Sequence, residues 1–237
     1  MSQIYTKTRE GRFISRPNRF IAQVQLAGET VTCHVKNTGR CRELLLPGAR
    51  VILAAAANPL RKTAWDLVAV YKGDMLVNID SQAPNRVARD WLQAQYPGAL
   101  IKAEHRVGGS RLDFLVNLLP DWDQAAGPQP PNSLLYVEVK GVTLEVEGQA
   151  LFPDAPTPRG ARHLQELDHL ARQAHRALAL FVVQMRPVIS FSPNDAMDPA
   201  FGAALRAAAA SGVQVLALDC RVTENSLTAG NPVTVRL

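Results

Sequence analysis

One short segment places an acid and a lysine at a spacing that suits phosphodiester chemistry. In YVEVK, at Tyr136–Lys140, a single residue separates Glu138 from Lys140. In a β-strand, alternate side chains share a face, so these two would point the same way while Val137 and Val139 fill the apolar face. A charged pair on a buried strand is costly to desolvate, which indicates either a simple ion pair or a functional site.

The functional alternative is metal-assisted hydrolysis of a phosphodiester. The carboxylate of Glu138 would bind Mg²⁺ (or Mn²⁺), and Lys140 would orient or help deprotonate the attacking water. A hard cation requires several oxygen ligands. Asp113, in SRLDF at 110–114, offers a second carboxylate on the preceding strand and is expected to project opposite to its apolar neighbours. Glu104 is a candidate third carboxylate. The alternative, that it is an ordinary solvated strand residue, is equally compatible with the sequence.

A helix after the acidic strand adds candidate phosphate contacts. Thr157 is a good N-cap and Pro158 suits the first helical position. Arg159, His163 and Glu166 follow at i, i+4 and i+7, so they lie within about 60° of one another. Arg159 would hold a phosphate near the helix N-terminus, and His163 would transfer a proton or contact a phosphate. The alternative is an ordinary solvated helix face.

The first part of the chain is predicted to be a small barrel of short strands. Turn signals such as Gly28, Pro47-Gly48 and Gly73 separate short β-rich runs. The expected strands are 19–26, 30–35, 49–55, 65–71 and 75–80, with a brief element at 42–46. Five such strands favour an OB-type barrel over residues 1–83, a topology that often binds nucleic acid.

The remaining chain, 84–237, alternates helices and strands in the order α-β-β-β-α-β-α-β. Helices are expected from 85 to 95, from Pro158 and from Pro199, the last capped by Asp198 and closed by Gly212. Strands are expected at 99–107, 111–119, 134–144, 179–185 and 213–218. A Pro-rich stretch, 120–133, is predicted to be an exposed loop. These elements predict an α/β (α+β) domain with a mixed sheet.

Charge is distributed unevenly along the chain. Residues 1–90 carry 14 lysines and arginines against 7 carboxylates, whereas residues 91–237 carry 12 against 14. This asymmetry favours a polyanion, DNA, as the partner of the first domain, although the surplus charge could serve solubility alone. The candidate phosphate contacts there are Arg16, Arg19, Lys36, Arg40, Arg42, Arg61 and Lys62.

Composition excludes several other classes of protein. No apolar run approaches the ~20 residues that span a bilayer, and the polar N-terminus lacks a secretory core, so a cytoplasmic protein without membrane contact is expected. Cys33, Cys41 and Cys220 are predicted to be reduced structural thiols. A P-loop, a dinucleotide fingerprint and a nucleophile elbow are all missing from the sequence, which disfavours a small-molecule enzyme.

The strand order, with Asp113 followed by Glu138 and Lys140, resembles the PD-(D/E)xK nuclease superfamily, whose fold is restriction-endonuclease-like. That resemblance implies two central carboxylates on consecutive strands and a lysine two residues past the second. The long stretch between Asp113 and Glu138 is compatible with a hairpin connection.

A closer resemblance covers nearly the whole chain and points to the sugar fermentation stimulation protein A (SfsA) family. The segments that carry it are RPNRFIAQV, HVKNTGRCRELLLPGA, RKTAWDLVAV, SRLDF, YVEVKGVTL and FPDAPTPRGARHLQEL. The resemblance implies an OB-like domain before a nuclease-like domain, non-specific DNA binding, and a link to regulation of sugar (maltose) metabolism. Cys41 stands where the family is expected to have methionine, outside the predicted metal site.

Two functional hypotheses remain open on the sequence. In one, the protein is a Mg²⁺-dependent DNA nuclease that uses Asp113, Glu138, Lys140 and Glu104. In the other, it is a non-catalytic DNA-binding regulator in which Glu138 and Lys140 form an inherited ion pair. The oligomeric state is also open, and a homodimer is one possibility.

Overall fold

The computed structural model describes residues 4–37, 39–58, 60–121 and 130–237. Most of the predicted Pro-rich loop, residues 122–129, lies outside this range. Pro131–Ser133 at its end forms a short 3-10 turn before the next strand.

The predicted small barrel is confirmed. Its strands are β1 (Thr8–Asn18), β2 (Ile21–Leu26), β3 (Glu29–Val35), β4 (Arg50–Ala55), β5 (Trp65–Lys72) and β6 (Met75–Asn78). They follow the order β3-β2-β1-β4-β5-β6, and a parallel pairing of β3 with β5 closes the first five into a ring. β6 extends the sheet beyond this ring by pairing with β5.

β1 was not expected from the sequence, although it lies between β2 and β4. Its segment, TREGRFISRPN, buries only Gly11 and Phe13, so it lacks the apolar alternation that identifies a strand. The expected brief element at 42–46 is a turn with no helix or strand.

In its described residues, the second part contains a nine-stranded mixed sheet and three α-helices. The helices are α1 (Ala83–Gln95), α2 (Pro158–Arg172) and α3 (Pro199–Ala210). The strands are β7 (Leu100–Val107), β8 (Ser110–Asn117), β9 (Leu134–Val142), β10 (Leu144–Val146), β11 (Gln149–Phe152), β12 (Arg176–Val183), β13 (Ser190–Pro193), β14 (Gln214–Val222) and β15 (Leu227–Val235). Their order is β10-β11-β13-β15-β14-β12-β9-β8-β7, in which β9, β12 and β14 are parallel and β7, β8 and β9 are antiparallel.

Two apolar layers cover the two faces of this sheet. Val137 and Val139 pack with α1, whereas Tyr136 belongs to the cluster that includes α2 and α3. The predicted alternation along β9 is therefore confirmed. β10, β11, β13 and β15 were not foreseen. β15 contains Gly230 and Pro232, which disfavour a strand locally, yet it pairs with β14 and β13.

Both predicted helix caps are present. Thr157 Oγ1 accepts a hydrogen bond from Gly160 N at 3.1 Å, and Asp198 Oδ1 accepts one from Phe201 N at 3.0 Å. A second oxygen of Asp198 accepts from Thr157 N at 2.7 Å, so one carboxylate links the starts of α2 and α3. The position of α2 therefore depends on α3 as well as on its own cap.

A buried polar network joins the barrel to the second domain. Tyr5 Oη donates to Asp80 Oδ2 at 3.0 Å, and Asn78 Nδ2 donates to Tyr5 Oη at 3.0 Å. Gln184 Nε2 donates to Asn78 Oδ1 and to the Asp80 carbonyl. Lys36 Nζ lies 2.8 Å from Asp80 Oδ2. These contacts fix the barrel against the end of the central sheet.

The three cysteines are free and buried, as expected. Burial raises the pKa of the Cys33 and Cys41 thiols to about 12, so both remain protonated near neutral pH. Among the described residues, no helix combines the length and the hydrophobicity that crossing a membrane requires.

Candidate metal and nucleic-acid site

Glu138 is the centre of the candidate site. Its side chain is 3% exposed and projects from β9 toward α2. Lys140 Nζ donates to Glu138 Oε1 at 2.5 Å, so the predicted acid–lysine pair is formed in the structure. Glu138 Oε2 is buried and has no hydrogen-bond partner among the described residues. An unpaired oxygen of a buried carboxylate is costly, which marks a position where a cation or a donor would be favourable.

His163 lies directly behind Glu138. Its Nδ1 bonds to Glu138 Oε1, and its ring is almost fully buried. Arg159 Nε lies 3.4 Å from His163 Nε2, so both ring nitrogens of His163 have partners. His163 therefore orients Glu138 and is not available for the phosphate contact expected from the sequence.

Asp113 reaches the site by a route that strand alternation does not predict. Leu112 packs in the cluster on the α2 side of the sheet, whereas Phe114 packs on the α1 side. The two neighbours of Asp113 thus lie on different faces. Asp113 Oδ2 accepts a hydrogen bond from Val139 N at 2.8 Å, and its side chain therefore lies between β8 and β9, next to Glu138.

Asn85 holds the other oxygen of Asp113. Its Nδ2 donates to Asp113 Oδ1 at 2.8 Å from the first turn of α1. Asn85 was not expected from the sequence, because an asparagine near a helix start more commonly has a local role. With both oxygens bonded, the Asp113 carboxylate has a fixed orientation.

The two carboxylates differ in pKa. Burial raises the pKa of Asp113, and the charge of Glu138 raises it further. Burial also acts to raise the pKa of Glu138, but His163 and Lys140 outweigh this effect and hold its pKa below the usual range. Glu138 is therefore ionised, and a second carboxylate beside it creates negative charge that a cation would neutralise.

Glu104 lies at the edge of this cluster. The register of β7 and β8 places it opposite Asp113, with a left-handed φ of 56°. Its side chain is 70% exposed and 3.4 Å from Arg111. Among the described residues, no group of three His, Cys, Asp or Glu side chains is arranged to hold a metal. Protein carboxylates at this site would therefore come from Asp113 and Glu138.

A cavity of about 240 Å³ opens in front of the two carboxylates. It is lined by Ser81, Asn85, Glu104, Arg111, Leu112, Asp113, Glu138, Val139, Lys140, Arg159 and His163. All four predicted catalytic residues therefore share one cavity. A second, wider cavity of about 680 Å³ adjoins it along α2 and shares Arg111, Arg159 and His163 with it.

The wider cavity, here called the α2 groove, is lined by three arginines and one carboxylate. Arg162 and Glu166 line it together with Arg111 and Arg159. Arg162 is exposed and has no ion pair within the described part of the chain. Of the residues lining this groove, the sequence predicted Arg159 and His163 as phosphate contacts, and Arg111, Arg162 and His169 were not predicted. The groove offers several donors to phosphate beside the carboxylates.

The predicted phosphate contacts of the barrel fall into two groups. Arg19, Arg40, Arg42 and Lys62 are exposed. In contrast, Arg16 donates to four backbone carbonyls, Arg61 pairs with Asp66 at 2.8 Å, and Lys36 pairs with Asp80. The cationic groups of these three residues already bond to partners within the protein. The phosphate contacts that the sequence predicted for them therefore do not fit the structure.

The chain thus combines a closed five-stranded barrel with a mixed-sheet domain whose central strands carry a pair of carboxylates and a lysine. Comparison with family models matches residues 14–79 to the SfsA N-terminal OB domain and residues 82–226 to the sugar fermentation stimulation protein RE domain. The chain belongs to the SfsA family, and its barrel is an OB domain.

Relatives cover the full length of the chain. The sugar fermentation stimulation protein homologue of Desulfitobacterium hafniense (strain DSM 10664 / DCB-2) is 50% identical over 235 residues, which are 98% of each chain. The homologue of Ruminiclostridium cellulolyticum is 44% identical and covers 98% of this chain and 99% of its own. The solved structure of Pyrococcus furiosus SfsA in complex with Ca²⁺ has a TM-score of 0.84 at 27% identity and covers 100% of both chains.

Proposed function

We propose that this protein is a non-specific DNA-binding phosphodiesterase that depends on Mg²⁺ or Mn²⁺. The observation that carries the proposal is the buried pair of Asp113 and Glu138 beside Lys140, with Glu138 Oε2 left without a partner in the described structure. Two converging carboxylates and a lysine, in a cavity flanked by arginines, suit metal-assisted cleavage of a phosphodiester.

The donor set fits a hard divalent cation. Mg²⁺ is typically bound through one or two carboxylates, with water and substrate phosphates completing its coordination. Asp113 and Glu138 supply that number, and Mn²⁺ accepts the same oxygen donors. The related Pyrococcus furiosus protein was solved in complex with Ca²⁺, another cation that prefers oxygen ligands.

The residues around the two carboxylates have distinct roles in the proposed reaction. A bound cation would act as a Lewis acid, which would neutralise phosphate charge and lower the pKa of water. Lys140 holds the attacking water and stabilises the charge that develops on it. Arg111 and Arg159 bind the phosphate in the cavity, and His163 keeps Glu138 oriented as a ligand.

A non-catalytic DNA-binding regulator is the second candidate. The observation that favours it is the contact of Glu138 Oε1 with both Lys140 and His163, which pairs the carboxylate without any metal. In both cases the DNA contacts would come from exposed arginines such as Arg40 and Arg42. Charge reversal of these two residues is then expected to weaken binding, and wild-type affinity should fall as salt concentration rises.

The deciding experiment measures cleavage and binding in parallel. Wild type, Asp113→Ala and Lys140→Ala are incubated with single-stranded, duplex and branched DNA in Mg²⁺ or Mn²⁺, and binding is measured in EDTA. We expect cleavage by the wild type, a loss of at least about 100-fold in both variants, and unchanged binding. Binding without cleavage on every substrate would instead identify the regulator.

Metal binding is also measurable without any substrate. A cation at 100 times its dissociation constant stabilises the folded state by about 2.7 kcal/mol, which corresponds to a Tm increase of roughly 5–10 °C for a chain of this size. Mg²⁺ or Mn²⁺ should produce this increase in the wild type and not in Asp113→Ala. Asp195→Ala, in a surface pair with Arg206, is the matched control and should respond like the wild type.

A further inference from the structure

Phe20 exposes an aromatic ring at the end of the barrel. It lies in the turn between β1 and β2, and 49% of the residue is exposed. The turn is ordered by Asn18, whose Oδ1 accepts from Phe20 N at 2.9 Å and from Ile21 N at 3.1 Å. The ring therefore projects from a fixed backbone, which limits the entropy that is lost when a planar group stacks on it.

One cationic side chain lies over this ring, and others lie on the loop whose backbone shares the partner Arg16 with this turn. The guanidinium of Arg19 lies 5.5 Å from the centroid of the Phe20 ring. Arg40 and Arg42, in the loop after β3, are exposed, and neither has an ion pair within the described residues. A flat apolar surface among free arginines matches a strand that carries bases and phosphates together.

Arg16 joins the two loops into one rigid surface. Its guanidinium donates to the carbonyls of Arg19 and Asn37 at 2.7 Å each, and to those of Gly39 and Arg40 at 2.8 Å each. Backbone from the β1–β2 turn and from the loop after β3 therefore converges on one side chain. The guanidinium of Arg16 therefore stabilises this surface by bonding to its backbone.

Short hydrogen-bonded steps connect this surface to the catalytic cavity. Val35 N donates to the Phe20 carbonyl at 2.8 Å. The next residue, Lys36, accepts at its carbonyl from both N and Oγ of Ser81, at 2.9 and 2.8 Å. Ser81 lines the cavity in front of Asp113 and Glu138. The turn that carries Phe20 and the cavity-lining Ser81 are thus both hydrogen-bonded to the end of β3.

We propose that Phe20 is a stacking platform for an unpaired base, and that the preferred substrate is single-stranded DNA or a single-stranded stretch within a duplex. This inference rests on the proposed function and specifies its substrate class. Bases inside a duplex are already stacked and would not reach the ring, whereas unpaired bases would lie against it. The arginines around the ring would contact phosphate without reading the sequence.

The test is a binding titration with the full-length protein in EDTA, so that its result is independent of cleavage. The probes are a fluorescently labelled mixed-sequence single strand and the duplex made from it. Phe20→Leu removes the ring and keeps apolar bulk, Phe20→Tyr keeps the ring, and Ile189→Ala removes an exposed apolar side chain from the second domain.

We expect Phe20→Leu to weaken single-strand binding by roughly 5- to 150-fold, the range of base–aromatic stacking, with little change for the duplex. Phe20→Tyr and Ile189→Ala should bind like the wild type, and all variants should share its Tm. Equal affinity of wild type and Phe20→Leu for the single strand would overturn the proposal that Phe20 is a stacking platform. That result would leave the nuclease proposal intact, since cleavage by the wild type is assayed separately with Mg²⁺.

Discussion

At the scale of single residues, the site depends on how the carboxylates are held. Glu138 is bonded by Lys140 and His163, while Asp113 is bonded by Asn85 and the Val139 amide. Groups that orient a metal ligand commonly affect metal affinity or activity by about 10- to 100-fold. In the proposed reaction Asn85 would act only through Asp113, as a positioning residue.

Asn85→Ala is expected to weaken metal binding, because Asp113 then loses one of its two hydrogen-bond donors. Two Mg²⁺ concentrations should rise roughly 10- to 100-fold: the one that gives half-maximal cleavage and the one that gives half of the maximal Tm increase. Gln93→Ala, an exposed residue on the same helix, serves as the control. An unchanged Mg²⁺ dependence of both readouts would show that Asn85 does not position Asp113.

At the scale of elements, the helix α2 carries His163 and Arg159 to the cavity, and its position is fixed at its N-terminus. Asp198 caps α3 through Phe201 N and also accepts from Thr157 N, the N-cap residue of α2. Removal of this one carboxylate would leave two buried or half-buried amides without their acceptor.

Asp198→Ala should therefore destabilise the protein by about 2 kcal/mol, at the upper end of the usual cost of losing an N-cap. For a chain of this size the corresponding fall in Tm is roughly 4–8 °C, measured by thermal unfolding without metal. The surface carboxylate variant Asp195→Ala should show little change. Equal Tm values for the two variants would contradict a structural role of the link between α2 and α3.

At the scale of the whole molecule, the network around Asp80 holds the two domains together. The side chain of Asp80 is 1% exposed, and Lys36 is the cation that pairs with it. Burial raises the pKa of Tyr5, which keeps its phenol protonated as a donor to Asp80. The relative position of the barrel and the cavity depends on these contacts.

Lys36→Ala leaves the buried Asp80 carboxylate without its cation, a change that typically costs about 3–5 kcal/mol. We expect a Tm decrease of roughly 6–20 °C. Arg42→Ala, by contrast, should weaken DNA binding and leave the Tm unchanged, because Arg42 is exposed. If Lys36→Ala instead kept the wild-type Tm and lost DNA affinity, Lys36 would be a phosphate contact.

The sequence by itself determined those parts of the site that follow from local periodicity. Alternation along β9 placed Glu138 and Lys140 on one face, and the caps at Thr157 and Asp198 located α2 and α3. Strand periodicity and capping act over a few residues, so they are visible in a single chain without tertiary information.

Only the tertiary structure decided which polar groups are available to a ligand. Asp113 turns toward Glu138 because it accepts from the Val139 amide, a contact between strands. Arg16 donates to carbonyls 3 to 24 positions away, and Lys36 pairs with Asp80, 44 positions away. The barrel strand β1 is held by neighbouring strands on both sides despite its weak pattern. Whether a charge is buried or paired depends on tertiary contacts between segments distant in sequence. The local sequence pattern does not specify those contacts.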